Sequence, residues 1–188
     1  MEIIIPHEPK VDDKSVWDHE VPIIKTNDVY HAYLYGGIED PFMYSKLVYA
    51  IATLDKGEQF ILHINTPGGV IDSALAICDA IKNTNGTVTI HLTGTVASAG
   101  TIIAMFADHL IVSDHLSFMV HNYSSGLAGK GHELKAQQKF QDEHLNHFFR
   151  TTYAGFLTEE EMDDVIDGRD MWLGSEDVKE RWRRKAGL

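Results

Sequence analysis

Ser98, His121 and Asp170 stand at three points of the chain where side chains could carry nucleophilic chemistry. Ser98 lies in LTGTVASAGTIIA, among small residues, after a β-type run that ends at Thr93 and just before an apolar helical pattern. At such a strand–turn–helix corner a hydroxyl projects and the next amide, on Ala99, faces the same space. This is the layout of a nucleophile elbow, although GxSxG itself is not matched. The same serine would serve as an ordinary helix N-cap. His121 ends the apolar run SFMVH, one short strand pair beyond the Ser98 helix. A neutral imidazole there would be the general base that a weakly acidic hydroxyl requires, or simply the polar end of a strand. A base needs an acceptor to fix its tautomer, and Asp170 in DGRDMWLG is a candidate. Asp163, Asp164 and Asp167 compete with it from an acidic amphipathic helix. Gly68 and Gly69, in INTPGGVIDSA, let backbone N–H groups approach a ligand where a helix starts. That suits an oxyanion as well as it suits a tight turn. A GxxxxGK[ST] phosphate loop is absent.

Positioning these residues requires strands and helices in alternation. VYHAYLYG reads as a strand and PFMYSKLVYAIATLD as a helix, and QFILHIN, IDSALAICDAIKNT, TVTIHLTG and SAGTIIAMFAD repeat the pattern. HLIVS and LSFMVH add two short strands. Such alternation predicts an α/β fold with parallel strands, crossover helices and a sheet covered on its faces, with ligands at the carboxyl ends of the strands. Beyond His121 a long polar segment predicts a helix of about 25 residues, roughly 37 Å at 1.5 Å per residue. On it Leu134, Phe140, Leu145, Phe148 and Phe149 would expose apolar surface that a monomer cannot cover. Thr158 with Glu161 forms a capping box, and Ser175 opens a last helix with acids in its first turn and bases in its last. Residues 1–28 read as an arm, tacked down by Trp17, and residues 29–188 as the folded domain.

Sixteen basic against 28 acidic residues leave a net charge of −12, a field that repels nucleic acid and anionic membrane surfaces. A single cysteine, Cys78, excludes an intrachain disulfide and suits a reducing, cytoplasmic setting; its place on the apolar stripe of its helix predicts core packing. No run approaches the roughly 18 apolar residues of a membrane span. His144 and His147 lie three apart on a helix, where a solvated face outweighs a metal site, so no metal or cofactor is expected.

The segments INTPGGVIDSALAICDAI, GTVASAGTIIA, SFMVH and GRDMWLGSEDV, in this order and at these separations, resemble the ClpP family of ATP-partnered serine peptidases, from about Val29 to about Lys179. The resemblance implies a ClpP/crotonase-like fold of repeated β-β-α units with a protruding handle helix at about 131–155. It also implies a serine endopeptidase that hydrolyses unfolded polypeptides or short peptides inside a ring chamber. Ser98 would form the acyl-enzyme, His121 would act as base and Asp170 as orienting acid, with the N–H groups of Gly69 and Ala99 as oxyanion donors. Heptameric rings would stack as a tetradecamer through the handle helix, and Arg169 would couple ring contact to triad alignment.

An AAA+ unfoldase partner is implied as well. Its docking rim, mapped by position, falls on His63, Asn83, His91, Thr93 and His115, a polar set whose histidines would make docking sensitive to pH between about 5 and 8. Three departures, the end at Leu188 without the family's customary extended tail among them, point to a divergent member of phage or accessory type. Asn122-Tyr123 stands where the family has Gln-Pro, and the N-terminal segment is unlike the apolar gating loops. Three other readings compete: a crotonase-like acyl-CoA enzyme, to which an acidic chain is ill suited; a Ser–Lys dyad using Lys130 or Lys135; and a non-catalytic ring subunit.

Overall fold

The computed structural model describes residues 2–3, 21–124, 126 and 129–188; Trp17 and most of the arm lie outside them. Eight strands form one sheet: β1 (Glu2–Ile3), β2 (Ile23–Thr26), β3 (Val29–Tyr35), β4 (Gln59–Thr66), β5 (Thr87–Ala97), β6 (His109–Val112), β7 (Ser117–Val120) and β8 (Met171–Gly174). The helices are α1 (Ser45–Ala52), α2 (Ile71–Asn83), α3 (Ala99–Ala104), α4 (Gly131–Tyr153), α5 (Glu159–Ile166) and α6 (Ser175–Ala186). The order across the sheet is β1-β2-β3-β4-β5-β7-β8, with β6 also paired to β5.

β3 through β5 run parallel, as the alternation requires, and β6 and β7 each pair parallel to β5. β2 and β3 form a hairpin whose turn residues, Asn27 and Asp28, both have positive φ, the type I′ geometry that matches strand twist. The expected arm boundary at residue 28 falls on this turn.

One face of the sheet is fully buried. Phe60, Leu62, Ile64 and Thr66 of β4 and Val88, Ile90 and Leu92 of β5 are inaccessible, and α1, α2 and α3 pack on one another beside them. Cys78 belongs to this core, and burial pushes its thiol above the ordinary range. The other face is only half covered, contrary to the expectation of a sheet covered on both sides. Alternate residues there are polar or aromatic, namely His31, Tyr33, His63 and His91, and such a face tolerates water. α6 packs against β6, β7 and β8.

Two irregularities aim the sheet at its carboxyl edge. Between Ile64↔Leu92 and Thr66↔Val96, β4 advances two residues and β5 four, so β5 bulges at Thr93–Thr95. Gly94 takes φ +60° there, and the Asn65 side chain accepts the Thr95 N–H at 3.2 Å in place of a ladder bond. The bulge lets one strand pair β6 along its first half and β7 along its second.

The loop Pro67–Gly69 then crosses the strand end. Gly69 has φ +150°, and a methyl group on it would lie 2.0 Å from the Ile38 carbonyl oxygen. α4 has 23 residues, and among its described side chains only Thr152 and Tyr153 are fully buried. Phe140 is 66% exposed, whereas Phe148 and Phe149 pack on the core because the last turns of α4 lie against the body.

Gly69→Ala therefore combines a backbone clash with a conformational penalty, while Gly57, also at positive φ, has open space around it. Gly57→Ala should cost the conformational term alone, ~1–2 kcal/mol, and Gly69→Ala well above it, read from urea midpoints. Equal losses would mean that the Ile38 contact is not a constraint.

Candidate active site

Ser98 follows directly on β5 and precedes α3, with φ 54° and ψ −126°, a conformation that costs a non-glycine residue on the order of 1–3 kcal/mol. Surrounding contacts hold it there. Its N–H donates to the Met119 carbonyl of β7 at 2.9 Å, and its carbonyl accepts from both the N–H and the hydroxyl of Thr101, at 2.9 and 2.7 Å. The hydroxyl makes no capping bond to α3. It meets His121 instead, with Oγ and Nε2 2.7 Å apart. The N-cap alternative fails for that reason: the helix starts at Ser98, but its side chain is turned away to the imidazole.

Parallel pairing explains the meeting. Ala97 of β5 lies opposite Met119 of β7, so Ser98 and His121 leave the carboxyl ends of adjacent strands together. The Gly68–Gly69 loop closes on the same corner. A methyl on Gly68 would fall 2.5 Å from Ser98 Cβ and 3.1 Å from the Ala99 nitrogen. Buried Thr66 shapes this loop by accepting the Gly68 N–H on its hydroxyl at 3.0 Å. Thr66 was not among the sequence candidates, although Thr-Pro-Gly-Gly is a turn signature in which a hydroxyl accepts two residues on.

Asp170 is less engaged. β7 and β8 pair antiparallel with Val120 opposite Met171, and continuing that register by one residue sets His121 opposite Asp170. Among the described residues no hydrogen bond joins the two, and Asp170 is exposed. Two of the three competing carboxylates are occupied elsewhere, Asp163 with Arg150 and Asp164 with Arg169 at 2.9 Å, while Asp167 is exposed just past the end of α5. Arg169 thus holds an acid of its own chain. Lys130 sits in an exposed pair with Glu133 at 3.7 Å, so the Ser98 hydroxyl has an imidazole rather than that amine as its partner.

A serine hydroxyl on a strained corner, against an imidazole and a diglycine loop, is the arrangement of acyl-transfer chemistry. The sequence matches the Clp protease family over residues 28–181. The chain belongs to the Clp protease family. Among its relatives, ATP-dependent Clp protease proteolytic subunit 1 of Protochlamydia amoebophila (strain UWE25) is 31% identical over 134 residues, 67% of this chain and 63% of that protein. This chain thus spans less than two thirds of that relative. Proteolytic subunit 3 of Rhizobium meliloti (strain 1021) is 28% identical over 183 residues, 89% of this chain and 90% of that one. The solved structure of a ClpP1 point mutant from Listeria monocytogenes shares the fold, with a TM-score of 0.64 and 24% identity over 80% of this chain and 86% of its own. No helix among the described residues of this Clp protease family member is long and apolar enough to cross a membrane.

Of the five residues mapped to a docking rim, the structure joins two. His63 and His91 face each other from adjacent strands, Nδ1 to Nδ1 at 3.1 Å, and His31, absent from the mapped set, adds a third ring whose Nδ1 is 3.3 Å from His63 Nε2. His91 Nε2 continues the chain to Ser113 Oγ at 3.1 Å, and Tyr33 stacks on His63 at 4.4 Å. Asn83 bonds Asp79 of its own helix, Thr93 bonds the Ile64 carbonyl, and His115 is exposed in the turn before β7. The face is not wholly polar, since Tyr33, Tyr35 and Ile111 are exposed on it.

Burial, and then the neighbouring His91 and His31, hold His63 below the ordinary imidazole value of 6.5. The folded state therefore takes this proton less readily than the unfolded chain, so His63 erodes stability as pH falls below 6.5. His63→Gln should flatten the dependence of the urea midpoint on pH between about 6.5 and 5. An unchanged slope would show that the His63 proton does not carry the dependence.

Proposed function

We propose that this chain is a serine endopeptidase acting on unfolded polypeptides or short peptides within an oligomeric ring, through an acyl-enzyme on Ser98. The 2.7 Å contact between Ser98 Oγ and His121 Nε2, at a serine whose hydroxyl caps nothing, carries the reading. His121 Nε2 takes the hydroxyl proton as Oγ adds to the peptide carbonyl carbon. The imidazolium then protonates the leaving amine as the C–N bond breaks. A water, deprotonated by the same nitrogen, hydrolyses the ester and frees Ser98.

The tautomer that accepts at Nε2 carries its proton on Nδ1 and needs an acceptor, the role of Asp170. Register supports that assignment, because continuing the β7–β8 pairing one residue beyond Val120 and Met171 sets Asp170 across from His121. Gly69 and Ala99 supply N–H groups to the tetrahedral oxyanion. Ala99 heads α3, where no intrahelical partner exists for its N–H, and the diglycine loop lies against it.

Residues 29–188 form the peptidase unit, with 1–28 an arm that contributes β1 and β2 to the sheet edge. Handle helix α4 would stack heptameric rings into a tetradecamer and cover Phe140. Arg169 would exchange Asp164 for a contact between rings. The working location is cytoplasmic. An AAA+ unfoldase would meet a rim of imidazoles and tyrosines that offers few aliphatic anchors, so docking would be weak or would need a partner of matched chemistry. The exposed Asp170 favours one further reading, a ring subunit whose triad never aligns.

A serine-directed fluorophosphonate separates the two. Intact mass and peptide mapping should place one adduct on Ser98, and Ser98→Ala should lose both adduct and peptide turnover while keeping its fold and oligomer. No adduct, or turnover retained in Ser98→Ala, would remove the mechanism. Light scattering should report many protomer masses, and a monodisperse monomer at micromolar concentration would refute the ring.

A further inference from the structure

The residue that follows the base, Asn122, does something other than continue a strand. α5 ends at Ile166, and like any helix it leaves its last four carbonyls without helical partners. Three are taken within the chain's own turn: Asp167, Arg169 and Gly168 donate to the carbonyls of Asp163, Asp164 and Val165 at 2.9–3.0 Å. The fourth, on Ile166, accepts from Asn122 Nδ2 at 2.8 Å, across 44 residues of sequence. The amide is not free to flip, because Asn122 Oδ1 accepts the Tyr123 N–H at 2.8 Å, which leaves the nitrogen facing α5. Tyr123 in turn donates its hydroxyl to Asp142 on α4.

These bonds close a short cycle. On one side Val120 pairs with Met171; on the other Asn122 is bonded to Ile166. Between these two fastenings lie His121 on one segment and Asp167–Asp170 on the other. The Asp167–Asp170 segment is tied back to α5 by its own backbone bonds and by the Arg169–Asp164 pair, and between α5 and the segment that carries His121 the Asn122 amide is the tie beyond the β7–β8 ladder. We propose that Asn122 is a positioning residue, whose bond to the Ile166 carbonyl fixes the Asp170 loop against His121. This rests on the serine-peptidase reading above. Aspartate in its place would match the shape but present an acceptor to an acceptor, and alanine would leave the carbonyl without its partner.

The test is a double-mutant cycle read on peptide turnover and on the rate of fluorophosphonate labelling at Ser98. Asn122→Ala should lower kcat about ten- to hundredfold with KM within about twofold, and slow labelling in proportion. In the Asp170→Ala background the same substitution should change neither rate, because the carboxylate it positions is gone. Asn122→Asp, isosteric but with a charged acceptor in place of the donor, should likewise lose rate and serves where the alanine variant fails to assemble. Asn122→Gln, which keeps the donor, should restore part of the rate. Wild-type rates in Asn122→Ala and Asn122→Asp, or equal losses with and without Asp170, would overturn the proposal and leave the peptidase reading standing. Wild-type protein that takes no label at Ser98 would overturn both.

Discussion

The backbone of Ser98 sits in a region that L-residues avoid, and the rest of the fold is arranged to keep it there. One turn of different geometry would point the hydroxyl into α3 as a cap and leave the imidazole without a partner. Three constraints prevent that. β7 takes the Ser98 N–H, Thr101 takes its carbonyl twice, and the diglycine loop fills the space behind its Cβ so closely that a single methyl on Gly68 would collide with it. Local strain of this kind persists only where its surroundings over-determine it, and it is most useful at a reacting atom.

The bulge in β5 is the upstream condition. A regular β5 would keep one partner along its length, and β7 would have no place beside the strand end that carries Ser98. By inserting extra residues opposite Asn65, with Gly94 at positive φ, β5 turns its last three residues to β7. The same shift brings His121 to Ser98, and the antiparallel return of β8 sets Met171, the neighbour of Asp170, opposite Val120, the neighbour of His121. Burial on the other flank supports this geometry. Phe118 and Val120 of β7 are inaccessible, and Thr101 and Tyr153 share a buried hydroxyl contact of 2.5 Å that ties α3 to the end of α4.

Charge is distributed to match. Acids outnumber bases, and several surface carboxylates are paired with arginines and lysines near them, Asp163 with Arg150, Asp164 with Arg169 and Glu176 with Lys179. One exception is structural. Glu161 caps α5 and receives both guanidinium nitrogens of Arg181 at 2.7 Å, which with the capping N–H holds its carboxyl down to about 2. That pair fastens the helix whose far end Asn122 holds, so α5 is fixed at both termini and its loop to Asp170 inherits the placement.

Much of this was legible in the chain. Alternating apolar runs and striped segments announced the parallel α/β order, the long polar segment appeared as α4, and the small residues around Ser98 with the diglycine before α2 marked the corner where Ser98, His121 and the Gly68–Gly69 loop meet. Those signals are local: propensity, periodicity and turn chemistry act within a few residues, and one chain displays them. Contacts between distant segments are not local, and the remainder depends on them. No period announces that β5 splits its pairing, that His31 joins His63 and His91, that Asp164 holds Arg169, or that Asn122 reaches the last carbonyl of α5. Which residue types could react, and which elements would carry them, followed from the order of amino acids alone. The separation of Ser98 from His121, and the remaining gap to Asp170, came only with the folded arrangement, because register and packing between strands far apart in the chain set distances that no local pattern encodes.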